Sequence, residues 1–421
     1  MTLPAAELPA PGPDASAASA ALTDIIAAEI AVRGGWISFA RYMELALYQP
    51  GLGYYAGGSH KFGAHDSGGD FLTAPELTPL FARTLARQVA QILASSDPLV
   101  IEAGAGSGRL AADLLPALAA LGCLPERYQI LELSGELRAR QQATLAAHAP
   151  EYADRVEWLD QLPERFSGCL IGNELLDAMP THALRWSDEA GEPALLERGV
   201  GLVDGQLTVA ERPARGALLE AAQALQVQPP FRSEISLAAR SWVAELARRL
   251  ERGALLLIDY GLARHELYHP LRDGGTLRCH YRHRVHEDPF WFPGLSDITS
   301  HVDFTAVAEA GFDAGLEVLG YTSQANFLLN CGIGDLLQDM KVGADEATAL
   351  QGGRAKDALL AVADGDTAAA DTNATDLRAR GAVNVLLSPN EMGELFKVIA
   401  LGRGVPGPLL GFARGDRVHA L

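Results

Sequence analysis

An α/β fold built on a parallel sheet with helices on both faces is what this sequence predicts. Two observations carry the prediction. Short continuous apolar runs ("LVIEA", "YQIL", "GCLIGN", "GALLLIDYG") alternate with helical stretches, and strands buried on both faces read as such runs. The first run passes directly into a glycine turn, Glu102-Ala-Gly104-Ala105-Gly106-Ser-Gly108, and then into a helical pattern. Strand, glycine turn and helix in that order place a ligand at the carboxyl end of the sheet.

Taken in order, residues 1–20 are dominated by Ala, Pro and Ser and read as a disordered tail. Residues 21–98 read as a helical segment with a glycine-rich lid. One helix is expected over Leu22–Arg33, stopped by Gly34-Gly35, and a second over 38–49 with Ser38 as N-cap. The stretch 50–71 is too rich in glycine for a regular element, and a long ordered loop usually carries function. A third helix is expected from Thr73, with Pro75 in its first turn and Glu76 completing a capping box. Residues 99–181 and 251–415 form the α/β core. Between them, 182–250 interrupt the rhythm with strand-like pieces and a helix, an inserted subdomain. Residues 341–380, rich in Ala and Asp, read as a low-complexity insertion.

The bulk properties exclude several classes. A chain of 421 residues suggests one large domain with insertions or two domains, and 48% hydrophobic content is that of a folded protein. A formal charge of −19 argues against nucleic-acid binding and suits a basic protein partner. The four cysteines are scattered without a CxxC pair, as expected of free thiols in a reducing compartment. No HxH or HExxH spacing predicts a metal site. No secretory signal, arginine-rich presequence or membrane-length apolar stretch is read, so a cytoplasmic protein without membrane insertion is expected.

The glycine turn has the spacing GxGxG, not the GxGxxG of dinucleotide folds, because position 109 is Arg. Glu102 sits two residues before the first glycine and would repel a pyrophosphate at the helix start. It suits a cationic ligand without phosphate there, such as the amino group of S-adenosylmethionine. A nicotinamide-dependent oxidoreductase is disfavoured on the same ground. Glu132, 24 residues beyond Gly108 and followed by Leu133, ends the second strand, where an acid accepts from ribose hydroxyls. The third strand ends in Asn173, Glu174 and Asp177, which is either an acidic pocket wall or a capped turn. The fourth delivers Asp259, which either orients a substrate or caps a turn.

The segments "IEAGAGSG", "LEL", "NELLDAMP", "LLLIDYG" and "GDFLTAPELTPLF" resemble the MidA-like class I SAM-dependent methyltransferases. That group includes the mitochondrial arginine methyltransferase needed for assembly of respiratory complex I. "PGLGYY", "GTLRCHYRH", "PGLSDITSHVDF" and "LLSPNEMGELFKVIALGRG" extend the resemblance over roughly residues 22–415. It implies a seven-stranded Rossmann-like core, S-adenosyl-L-methionine as cofactor, and an arginine acceptor on a protein, such as a respiratory complex subunit. A small-molecule methyltransferase and a non-catalytic SAM-binding assembly factor are the alternatives. The expected cofactor site comprises Asp70, Thr73, Pro75, Glu102, Gly104, Ala105, Gly106, Gly108, Glu132, Leu133 and Asn173. The expected catalytic set is Asn173, Glu174, Asp177, Asp259, His280 and Tyr281, the last two placed there by the resemblance around them.

Overall fold

The computed structural model describes residues 4, 7–57, 73–191, 194–339 and 367–421. It opens with α1 (Pro13–Val32), β1 (Ile37–Ser38) and α2 (Phe39–Tyr48), then α3 (Ala74–Leu77) and α4 (Pro79–Leu93). The core begins with β2 (Leu99–Ala103), α5 (Arg109–Ala120), β3 (Arg127–Leu131), α6 (Gly135–His148), β4 (Val156–Leu159) and β5 (Phe166–Asn173). Next come β6 (His182–Trp186), β7 (Leu195–Val203), β8 (Gln206–Pro213), α7 (Gly216–Ala224) and β9 (Phe231–Ile235). They are followed by α8 (Leu237–Arg249), β10 (Leu250–Leu262), α9 (Arg264–Leu267), β11 (Arg278–Tyr281), β12 (Arg284–His286) and β13 (Asp297–Thr299). The chain closes with β14 (Val302–Asp303), α10 (Phe304–Asp313), β15 (Glu317–Ser323), α11 (Gln324–Asn330), α12 (Thr367–Leu387), α13 (Met392–Leu395) and β16 (Phe396–Arg403).

The central sheet has the order β15-β16-β10-β5-β2-β3-β4, with β14 added alongside β10. β10, β5, β2, β3 and β4 run parallel, while β16 is antiparallel to both its neighbours. The seven-stranded core is thus present, with one short strand more. β2 to β4 build outward one way and β5 starts the other, so the strand order reverses between β2 and β5. In open α/β sheets a ligand lies in the crevice at that reversal. Helices α4 and α5 cover one face and α8 and α10 the other, each with its own apolar cluster.

Several expectations change. The tail expected over 1–20 is helical from Pro13, because Pro at the first helical position and an alanine-rich run both favour helix. At 20 residues α1 is long and apolar enough to cross a membrane, a length that reading the helix from Leu22 missed. One face, Leu22, Ile26 and Ile30, is buried against Tyr42, Met43 and Leu45 of α2. The helix expected from Thr73 breaks after four residues. Pro79 forces Thr78 into extended backbone (φ −166°, ψ 141°), and Thr78, not Thr73, caps the main helix by accepting from Leu80 N–H at 3.3 Å.

The inserted subdomain is smaller at its end and wider in membership than 182–250. α8 packs Val243, Leu246 and Ala247 on the central sheet and belongs to the core. β1, from the N-terminal segment, joins the inserted sheet, whose order is β1-β7-β6-β9 with β8 on β7. Trp36 Nε1 donates to Ala210 O at 2.7 Å across the same junction. In the low-complexity stretch, 367–380 is the start of α12, and the rest lies outside the described residues, as do Asp70 and the lid from 58. Cys169, Cys279 and Cys331 are buried free thiols; Cys123 is half-buried.

Candidate active site

A cavity of about 650 Å³ opens at the carboxyl ends of β2 and β5, where the strand order reverses. The size lies in the ordinary range for a small-molecule site. Of the expected residues, Thr73, Pro75, Glu102, Gly104, Ala105, Gly106, Glu132, Leu133, Asn173 and Glu174 line it. Gly108 instead starts α5 behind the turn, against Gln141.

One wall is made by a short run of chain. Gly104 has φ +72°, a conformation that favours glycine, and a Cβ there would stand 2.9 Å from Leu175 Cδ1, the movable end of a side chain. Glu102 is buried at the end of β2; its Oε2 accepts from Tyr128 OH at 2.6 Å, and burial pushes its pKa up to about 7. Glu132 accepts from Ser134 N–H at 2.9 Å and from Gln141 Nε2 at 3.2 Å. Gln141 also donates to Gly106 O, and its own Oε1 accepts from Trp158 Nε1 at 2.9 Å. The strand-end acid is therefore fixed to the glycine turn through one buried amide. Ser107 donates to Glu76, tying the same turn to α3. This wall offers carboxylates for an amino group and a diol. Asn173 Oδ1 is buried beside them without a partner and needs a donor from a ligand. These features fit S-adenosyl-L-methionine.

The rest of the cavity wall is acidic and aromatic. Glu174 has the left-handed backbone (φ +51°) that non-glycine residues rarely adopt, held by Glu174 N–H donating to Ile258 O at 2.9 Å. Its Oε1 accepts from Asn173 Nδ2 at 3.1 Å and, weakly, from Ala74 N–H at 3.4 Å. Burial, reinforced by Asp259 and Asp297, pushes its pKa up to about 8. Asp177 is raised too, by burial and then by Asp259, Asp297 and Glu174. The charged groups acting on Glu174 and Asp177 are thus other carboxylates. Tyr48 and Tyr55 also line the cavity, stacked at 5.5 Å, and Tyr55 OH donates to both oxygens of Asp297 at 3.0 Å.

Four expected catalytic residues are not on the cavity wall. Asp177 lies behind Glu174; no helix begins there, so it is not a helix-start acid. Asp259 Oδ2 accepts from the N–H groups of Leu175, Leu176 and Asp177 at 3.0, 2.7 and 3.3 Å, which makes it the clamp on the 174–177 turn. His280 sits on β11 with Thr299 Oγ1 3.4 Å from its Nε2, and burial pushes its pKa down to about 4. Tyr281 packs edge-on against Trp291 at 4.7 Å. The strand they occupy matters differently: His280 faces Asp297 across β13, so this small sheet positions Asp297. Tyr48, Tyr55, Asp297 and Gln141 were missed by sequence reasoning; only "PGLGYY" and "PGLSDITSHVDF" signalled two of them.

Residues 81–322 match a family of S-adenosyl-L-methionine-dependent methyltransferases, Methyltransf_28. A COG1565 superfamily member from Burkholderia thailandensis, crystallised bound to S-adenosyl-homocysteine, is 50% identical over 99% of this chain and 100% of that one, with a TM-score of 0.88. Protein arginine methyltransferase NDUFAF7, mitochondrial, of Danio rerio is 29% identical over 72% of this chain and 75% of that protein. Its Mus musculus counterpart is 27% identical over 87% and 81%.

Proposed function

Since this chain belongs to that family of S-adenosyl-L-methionine-dependent methyltransferases, we propose that its acceptor is an arginine side chain of a protein. The observation that carries the proposal is Glu174, strained onto the cavity wall and backed by Asp177, Asp259 and Asp297. A guanidinium is always protonated at neutral pH. It therefore needs carboxylates to hold it and to draw its charge away from the attacking nitrogen. The stacked tyrosine rings give such a planar cation a face to lie on. The relatives named protein arginine methyltransferases support the same acceptor.

When bound, S-adenosyl-L-methionine supplies a methyl group on a positively charged sulfur, and the S–C electron pair stays on sulfur as a new N–C bond forms. The chain's own residues do the rest. Glu102, Glu132 and Asn173 hold the cofactor end of the cavity. Glu174 binds the guanidinium and takes the proton that the methylated nitrogen releases. Asp259 keeps Glu174 in position through the turn, and Tyr48 and Tyr55 close the acceptor side against water.

The acceptor protein we propose is a subunit of a respiratory complex, as the resemblance implies, methylated in the cytoplasm. The test is to incubate the protein with methyl-labelled S-adenosyl-L-methionine and an extract of cells lacking it, then locate the label by mass spectrometry. Label on an arginine of a respiratory subunit is expected, and none with Glu174→Gln. Label on a small metabolite would overturn the acceptor assignment.

A further inference from the structure

A second cavity, about 370 Å³, lies between the inserted sheet and the 274–290 segment, and it shares no lining residue with the first. Its volume also falls in the range of small-molecule sites. Arginines outnumber acids in its lining, the reverse of the chain as a whole. Arg198 on β7, Arg232 on β9 and Arg278 on β11 line it together with Glu234 and Glu287, in a protein whose net charge is −19. Phe39, Leu277 and Phe290 supply apolar wall.

The strand register explains how cations came together. Arg198 faces Ala183 across β6, and Ala183 faces Glu234 on β9, with Arg232 two residues before it. The small Ala183 leaves open space between the flanking strands. The acids nearby are shared with other donors. Glu211 meets Arg198 Nε through Oε1 at 3.4 Å, while its Oε2 is held by Arg185, at 3.0 Å to Nε and 2.7 Å to Nη2. Glu234 accepts from Thr276 N–H at 2.8 Å and from its hydroxyl at 3.1 Å. Arg278 meets Glu287 only at 3.8 Å. Arg198 Nε is buried and makes no hydrogen bond, the long ion pair with Glu211 being its one polar contact among the described residues. Such a donor is costly to leave unmet. Burial, and then the neighbouring Arg232, weaken the hold of Arg198 on its proton, and Glu211 and Glu234 offset this only in part.

We infer that this cavity binds a small organic anion, its carboxylate or phosphate held by Arg198, Arg232 and Arg278 and its apolar body set against Phe39, Leu277 and Phe290. Planar guanidiniums match both oxyanions through paired hydrogen bonds. Nothing in the methyl-transfer chemistry calls for this site.

Two probes separate the sources: phenyl phosphate and benzoate, titrated calorimetrically into the full chain saturated with S-adenosyl-homocysteine, so that the first cavity is closed to them. One saturable site is expected for the better probe, weakening as salt rises. Arg198→Gln and the more exposed Arg232→Gln should each lower its affinity about tenfold, the loss of one charge-assisted hydrogen bond, with S-adenosyl-homocysteine affinity unchanged. The second variant keeps the test alive should the first fail to fold. No saturable binding of either probe up to about 10 mM, weaker than any useful small-ligand site, would overturn the inference. So would affinity unchanged in both variants.

Discussion

The two walls of the main cavity are built in opposite ways. The wall carrying Glu102, Gly104 and Glu132 comes from one stretch of about thirty residues, β2 through the end of β3, set by backbone conformation. The other wall draws Tyr48 and Tyr55 from the N-terminal segment and Glu174 from the end of β5, with Asp297 of β13 holding Tyr55 from behind. The first is a local device that many chains can carry. The second exists only when distant parts of the chain are docked, and it is where acceptor choice resides in our proposal.

If the walls are separable, variants should split cofactor binding from transfer. The largest effect is expected from Gly104→Val, where a β-branched residue on left-handed backbone costs about 1–3 kcal/mol, up to about 100-fold in S-adenosyl-homocysteine affinity by calorimetry. Glu174→Gln should lower transfer about 100-fold, as expected when one charged group contacting the acceptor is lost, with cofactor affinity changed less than about threefold. Equal losses in both would break the distinction. Tyr55→Phe removes the donor to Asp297 and should lower kcat/KM for an arginine peptide about tenfold. Gln141→Leu, acting only through Glu132 and the glycine turn, should weaken cofactor binding about fivefold and leave acceptor KM alone.

The acidic wall also has a pH signature, shared in direction by Glu102 on the other wall, which burial pushes up to about 7. Burial and like charge raise Glu174 from the ordinary carboxylate range to about 8. The folded protein therefore binds that proton more tightly than the unfolded chain. The resulting stability is present at acid pH and is lost as pH rises through about 8. Thermal unfolding without ligands should show Tm falling as pH rises toward 8, and Glu174→Gln should lessen the fall, with Glu102 and Asp259, each raised to about 7, supplying the rest. Transfer should move the other way, rising with pH as Glu174 ionises to receive the guanidinium. A flat Tm profile in the unsubstituted chain would remove the carboxylate cluster from the account.

The same contrast sets what could be read from the sequence. The sheet, the glycine turn and the strand-end acids were legible because each depends on neighbours in sequence: apolar runs, left-handed glycines, an acid at a fixed distance. Asn173 and Glu174 were legible by position at a strand end. Asp259 was left between two roles, because the partners that decide it, three N–H groups of the 174–177 turn, lie more than 80 residues away. His280 and Tyr281 stood in a segment whose family likeness is strong, but likeness does not say which residue of a strand faces the site; Asp297, opposite His280, is the one that holds Tyr55. The docking of β1 onto the inserted sheet left no local trace at all, since two residues carry no periodicity.

The bond from Tyr55 to Asp297 joins residues 242 apart in the chain. During synthesis, at roughly 5 to 20 residues per second, Tyr55 waits about 12 to 50 s before its partner is made. Throughout that interval α1 and α2 can pack on each other and on β7, while the side of their cluster that takes Cys279 and Ile298 stays uncovered. The glycine turn is thus complete in the nascent chain well before the bond that fixes Tyr55 on the acceptor side can form.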